Sequence, residues 1–233
     1  MKINTAVKKA FNSLLKPFGC EVVRSKDLID FYLHEYSNYE EYKEIQTFHN
    51  KRKLANVWAD EKTLSVICGE LTKQYNQKKL RGICHGSRNG FEQKYFKDNA
   101  GFDVIGTDIS NTATQFEGTV QWDFHDENQE WIGSFDFVYS NSLDQGWNPK
   151  VALKTWLNQL NDNGVLIIEH TEAHGPRWAS EMDPFGVRPT VMPYVLCEWF
   201  GYSISVKVVK SKKANNGRDV WLFFIRKHER FLT

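Results

Sequence analysis

The 233-residue chain has few cysteines. The four it has, Cys20, Cys68, Cys84 and Cys197, are far apart and form no CxxC pair. That scatter argues against a zinc site and against a disulfide framework. Net charge is small as well, +1 from 30 basic and 29 acidic residues. Such a balance makes no electrostatic case for DNA binding and argues against RNA. No apolar run approaches the roughly 18–20 residues of a membrane span. Residues 1–19 lack the continuous apolar stretch of a secretory signal. Reduced thiols without an export signal give the expectation of a cytoplasmic protein with no stable membrane insertion. Hydrophobic residues at 41% and charged residues at 25% exclude wholesale disorder. Aromatic residues are abundant, at 14% with 8 Trp and 16 Phe. They serve as core filler or as stacking surfaces for flat ligands.

The first part of the chain reads as helical. Ala6, Ala10, Phe11, Leu14 and Leu15 fall at helical spacing, and Pro17 and Gly19 end the segment. Lys2, Lys8, Lys9 and Lys16 make it basic, with no acid before residue 20. A membrane-surface anchor and a helix docked on its own domain both fit; the short apolar face favours docking. Residues 25–59 follow, with Ser37 and Glu40 as a capping box. Their charge runs from acidic (Asp27, Asp30, Glu35, Glu40, Glu41, Glu44) to basic (Lys51, Arg52, Lys53), as a helix dipole favours. In residues 60–75, Leu64, Ile67, Cys68, Leu71 and Tyr75 make one apolar stripe.

The pattern then changes. Short apolar runs at 80–84, 102–106, 119–122, 135–139 and 165–169 alternate with helical stretches at 91–97 and 149–160, which argues for a parallel sheet covered on both sides. Residues 202–210 and 219–226 are β-rich and joined by a short polar loop, so they pair antiparallel. The expected division is a helical appendage at 1–75 and an α/β domain at 76–233.

The first run leads into His85-Gly86-Ser87-Arg88-Asn89-Gly90-Phe91-Glu92. A strand, a glycine-rich turn and a helix together make a cofactor-binding corner, because glycine admits the tight turn and the helix start offers free N–H groups. Asp108 ends the second run, 22 residues after Gly86. An acid there can accept hydrogen bonds from ribose hydroxyls. Asp123 and Phe124 end the third run, where a carboxylate can meet an adenine amino group beside an aromatic ring; a helix cap or turn explains Asp123 equally. The glycine spacing is not G-x-G-x-x-G, and Gly-Lys-Ser/Thr is absent, so neither a nicotinamide site nor a P-loop is indicated.

From Leu80 to about Arg226 the chain resembles the class I S-adenosylmethionine-dependent methyltransferases, of small-molecule type. The segments that carry the likeness are Gly86–Gly90, Val104–Asp108, Trp122–Phe124, Phe135–Asp144 and the turn and strand from Asn161. The terminal antiparallel pair is similar to that family's reversed strand. The resemblance implies a Rossmann-like, doubly wound, mostly parallel seven-stranded sheet with a terminal antiparallel strand and an N-terminal helical appendage. It implies S-adenosyl-L-methionine as cofactor. Gly86, Ser87, Arg88 and Gly90 would hold it from the first turn. Asp108 and Ile109, Asp123 and Phe124, and Ser140 and Asn141 would hold it from the next three strand ends. Two positions depart from the family: Cys84 replaces the usual acid, and Arg88 the middle glycine. A guanidinium there can pair with the cofactor's methionine carboxylate or point to solvent.

His170-Thr-Glu-Ala-His174 is not H-E-x-x-H and follows a strand, so a metal site is rejected. As loop residues at the cofactor end, His174, His170 and Asp144 are candidate bases, with exposed loop polars as the plainer reading. Tyr36, Tyr39 and Tyr42 recur every three residues, followed by Gln46, Asn50 and Lys53. They would line the acceptor pocket from a lid, or else pack the appendage onto the core. The sequence thus points to methyl transfer onto a small molecule such as a sugar or glycan precursor. RNA methylation, for which the basic run at Lys207, Lys210, Lys212 and Lys213 speaks, and a non-catalytic cofactor-binding module are the alternatives. Oligomeric state is left open.

Overall fold

The computed structural model describes residues 5–23, 28–76 and 79–228. Lys2 and Asp27, counted above among the charges, lie outside these residues, and of Ala6 and Lys8 only the backbone is described. In chain order the elements are α1 (Thr5–Leu15), β1 (Phe31–Leu33), α2 (Tyr39–Arg52), α3 (Glu61–Tyr75), β2 (Arg81–His85), α4 (Phe91–Ala100), β3 (Asp103–Asp108), β4 (Thr119–Gln121), β5 (Phe135–Ser140), α5 (Pro149–Gln159), β6 (Leu160–His170), β7 (Phe185–Val187), α6 (Met192–Phe200), β8 (Ile204–Lys212) and β9 (Asp219–Lys227).

Seven strands form one sheet in the order β4-β3-β2-β5-β6-β9-β8. The first five are mutually parallel, and β9 runs antiparallel to both β6 and β8. Alternate residues of the central strands feed two cores, as the pleat requires. Val138, Leu166, Ile168, Phe223 and Ile225 pack under α5 and α6 with the fully buried Trp156. Phe137, Tyr139, Val165, Ile167, Leu222 and Phe224 pack against α3 and α4. Each fully buried large apolar side chain contributes about 1.5–3 kcal/mol, so these two layers fix the sheet from both faces.

The N-terminal region departs from expectation in four ways. Helix α3 is not part of an appendage. Its Leu64, Ile67 and Leu71 lie in the same core as the strands, so the α/β unit takes in residues from Glu61 rather than from 76. Residues 31–33 are extended, because they pair antiparallel with β7, a partner with no signal in the local periodicity. The capping box sits one residue later than predicted. Asn38 accepts from the Glu41 N–H, and the Glu41 carboxylate accepts from the Ser37 N–H at 2.6 Å. Finally, α1 does not bury its stripe: Ala10, Phe11 and Leu14 are exposed and Leu15 is only half-buried.

Candidate functional site

Strand order reverses between β2 and β5, and a crevice opens there at the carboxyl ends of the strands. The turn after β2 forms one wall. Gly86 has φ +72°, and an added Cβ would lie 2.6 Å from Ser142 Cβ, so glycine is needed for both conformation and space. Arg88 also has a left-handed backbone, φ +46°. A non-glycine residue in that region is held at a cost of about 1 kcal/mol or more, so the turn keeps the backbone geometry of a glycine but carries a guanidinium.

Asp108 ends β3 beside this turn. Its Oδ2 accepts from the Arg88 N–H at 3.1 Å, and its Oδ1 from the Ser110 N–H at 2.9 Å. The Asn50 amide of α2 reaches both oxygens at 2.8 Å. Burial raises the Asp108 carboxyl above its usual range, and these donors partly offset it. Asp123 is also fully engaged. Tyr39 donates to Oδ2 at 2.7 Å, and the His125 N–H and ring Nδ1 meet Oδ1 at 2.9 and 2.7 Å. Burial would push Asp123 up, but His125 and Tyr39 outweigh it and hold the carboxyl below the usual range. Helix α2 therefore lies across this end of the crevice, leaving about 20 Å³ between Tyr42, Asn50, Asp108, Ile109, Asp123 and Phe124.

Beyond Gly86 and Arg88 the crevice widens to a cavity of about 290 Å³. Its walls come from the glycine-rich turn, the start of α4, the segment after β5, the loop after β6 and residues 53–58. Three buried polar atoms here have no hydrogen-bond partner among the described residues: Arg88 Nε, Glu92 Oε2 and Asp144 Oδ1. Glu92 is anchored through its other oxygen, which accepts from the Asn141 amide at 3.0 Å. Burial pushes Glu92 and Asp144 up to about 7 each. Asp183, on the same wall, rises to about 7 through burial and the nearby Asp144. Burial and the Lys213 and Arg218 charges press His174 down to about 3. Its Nε2 lies 3.9 Å from Asp144 Oδ2, too far for a hydrogen bond, so near pH 7 a neutral imidazole faces a carboxyl that is itself titrating.

Trp58 closes one side, its ring 5.5 Å from that of His174. Lys213, buried against Glu169 at 3.1 Å, lies 4.3 Å from the Trp58 ring and donates to its carbonyl. Tyr139 completes this fixed support with a 2.7 Å hydrogen bond to Glu169.

The structure thus brings Gly86, Ser87, Arg88, Asn141, Asp144 and His174 to the cavity wall. Asp108, Ile109, Asp123, Phe124 and Tyr42 gather at the narrow end. Gly90, at φ +77°, sets the start of α4. Ser140 faces inward, donating to the His85 carbonyl. His170 is turned away and engages the Val187 carbonyl at 2.9 Å. Tyr36 is spent on the Glu181 carbonyl and Tyr39 on Asp123. Cys84 is buried in the core under α3 and α4, away from the cavity. Sequence reasoning missed Glu92, Trp58 and Asp183 as cavity residues. Trp58, just ahead of the α3 cap Asp60, left a faint signal; Asp183, in an irregular segment, left none.

No family model and no curated protein matches the chain. Solved structures do match. A 1,6-didemethyltoxoflavin-N1-methyltransferase of Burkholderia thailandensis, solved with S-adenosylhomocysteine, superposes with TM-score 0.63 at 13% identity, over 84% of this chain and 93% of that one. A magnesium protoporphyrin IX methyltransferase of Synechocystis with bound S-adenosylmethionine gives 0.55 at 12%, over 83% and 100%. The chain has the class I methyltransferase fold. That fold alone does not fix the reaction: the [4+2]-cyclase SpnF shares it, at TM-score 0.51 and 13% identity over 70% of this chain and 80% of that one.

Proposed function

We propose that the chain is an S-adenosylmethionine-dependent methyltransferase acting on a small hydroxylated acceptor such as a sugar or glycan precursor. The observation that carries this reading is the trio of unpaired buried groups in the cavity, Arg88 Nε, Glu92 Oε2 and Asp144 Oδ1. A buried polar atom without a partner costs about 1–3 kcal/mol, and a ligand that pairs with it recovers that cost.

The groups fit the cofactor. Arg88 and Glu92 offer opposite charges on one wall, complementary to a zwitterionic amino-acid end. Glu92 thereby supplies the acid that Cys84 lacks. Asp108 is placed for ribose hydroxyls once the Asn50 amide yields them its oxygens, and Asp123 with Phe124 for the adenine. When bound, S-adenosylmethionine supplies a methyl group on a sulfonium whose leaving group is already activated by its charge. The chain's own work is then positioning and proton handling. Asp144, near 7, is tuned to accept a proton from an acceptor hydroxyl. Trp58 and His174 wall off the same space, excluding water and holding the acceptor in line. Helix α2 serves as the lid.

A second reading is a cofactor-binding module without methyl transfer. The engagement of Asp108 by Asn50 and the cyclase that shares this fold favour it. Calorimetric titration with S-adenosylhomocysteine, paired with a labelled-methyl assay over hydroxylated small molecules, separates the two. Binding with product supports the enzyme; binding without product supports the module; absence of binding removes both. Asp108→Ala is expected to weaken binding by about 10–100-fold, the scale of hydrogen bonds to a charged group.

A further inference from the structure

Val7, Phe11 and Leu14 on α1, with Phe18 in the turn after it, recur at i, i+4, i+7 and i+11. At 100° per residue Val7, Phe11 and Leu14 fall within an arc of about 60°, and Phe18 follows in the turn. All four are exposed, at 48%, 56%, 71% and 79%. The chain returning after the turn does not cover this face. It lies along the side of Asn12, whose carbonyl oxygen accepts from the Val22 N–H at 2.6 Å and whose amide donates to the Val22 carbonyl at 3.2 Å.

Charge tells what the face is for. Lys2, Lys8, Lys9 and Lys16 are the only charged side chains in residues 1–20. Lys9 and Lys16 are exposed, on the side of the helix away from the apolar arc. We infer that α1 docks the protein on an anionic lipid surface, its apolar arc in the headgroup boundary and its lysines supplying the electrostatic part. Neither signal suffices by itself; a short apolar face gives marginal, reversible binding until a basic patch adds to it. A second copy of the chain is a poorer occupant. Four side chains fall far short of the roughly 20–30 residues a side of a stable protein interface, and two such helices would bring like charges together.

Cosedimentation of the full chain with phosphatidylcholine vesicles, with and without about 30% phosphatidylglycerol, tests this. Binding is expected to be about tenfold stronger on the anionic vesicles and to collapse at about 0.5 M salt. Leu14→Glu with Phe18→Glu should abolish it with an unchanged melting temperature, since both side chains are exposed in the fold. Lys9→Glu with Lys16→Glu should abolish it by charge alone. Absence of binding to anionic vesicles at low salt overturns the inference, as does equal binding to neutral ones. So does a concentration-dependent dimer that Leu14→Glu with Phe18→Glu dissolves.

Discussion

The two ends of the crevice differ in how their polar groups are paired. At the narrow end, Asp108 and Asp123 have both oxygens occupied by protein donors, four of them from Asn50, Arg88, Ser110 and Tyr39 and two from His125. At the wide end, Arg88, Glu92 and Asp144 each keep a buried atom unpaired. Pairing costs a protein nothing to keep and must be broken to bind; unpaired burial is costly and is relieved by binding. On the proposed function, the wide end would be a preformed receptor, and the narrow end one that α2 must release.

The largest effect tests the wide end. Asp144→Asn should lower kcat by about 10²–10⁴-fold, the usual weight of a general base, while leaving the affinity for S-adenosylhomocysteine within a few-fold. The parent's rate should rise with pH through about 7, since Asp144 accepts a proton only when ionised. A parent profile flat from pH 6 to 8 would remove Asp144 from the chemistry.

Arg88 joins the two ends, and Arg88→Gly separates its backbone from its side chain. Glycine takes a φ of +46° freely, which offsets loss of the guanidinium's hydrogen bond to the Asn56 carbonyl, so the variant should melt close to the parent. Loss of the guanidinium should still weaken S-adenosylhomocysteine binding by about 10–100-fold. Adenosine, which lacks the amino-acid end, should bind unchanged. Equal losses for both ligands would mean that the guanidinium shapes the turn and does not read the carboxylate.

The wide end was less legible in the sequence than the narrow one. Asp108 and Asp123 stand at strand ends, where a fixed offset from a glycine turn announces them. Glu92 and Asp144 are also close in sequence to their strands. Asp183 and Trp58 reach the cavity from irregular segments, whose path depends on pairings such as β1 with β7 that have no local period. The same blindness misplaced α3. Its stripe was visible, but which surface it would bury was decided by the sheet. His170 and His174 looked alike in the loop after β6; only the Val187 carbonyl, 17 residues on, tells them apart.

A smaller effect tests whether α2 must move. If the Asn50 amide competes with ribose for Asp108, Asn50→Ala should tighten S-adenosylhomocysteine binding by about 3–10-fold, part of the worth of a hydrogen bond to a charged acceptor. If Asn50 stays in place and shares the ribose, the same variant should bind more weakly. Calorimetry reads the sign directly, and the weaker outcome would end the contrast between a closed and an open end.

The smallest effect is in stability against pH. In the folded protein Glu92, Asp144 and Asp183 titrate near 7, above the carboxyl's ordinary range, and Asp108 shifts in the same direction. The folded state keeps protons that the unfolded chain has released, so their contribution is complete below about pH 4 and is lost as pH rises through about 7. His85, pressed down to about 4 by burial, and His170 and His174, at about 3, act oppositely. Their contribution is complete above about pH 6.5 and is lost on acidification. The two sets oppose each other between about pH 4 and 6.5; from about 6.5 to 8 only the carboxyls of these two sets change. The melting temperature of the ligand-free protein should therefore fall over that upper window, by about 2–4 °C for each kcal/mol lost. Asp144→Asn with Asp183→Asn should flatten the fall, because burial raises both of those wide-end carboxyls and Asp144 raises Asp183 further. Asp123, held low by His125 and Tyr39, contributes nothing there, so Tyr39→Phe should leave the slope unchanged. A parent melting temperature that is level or rising from pH 6.5 to 8 would mean that the wide end is already paired, and the contrast with the narrow end would fail.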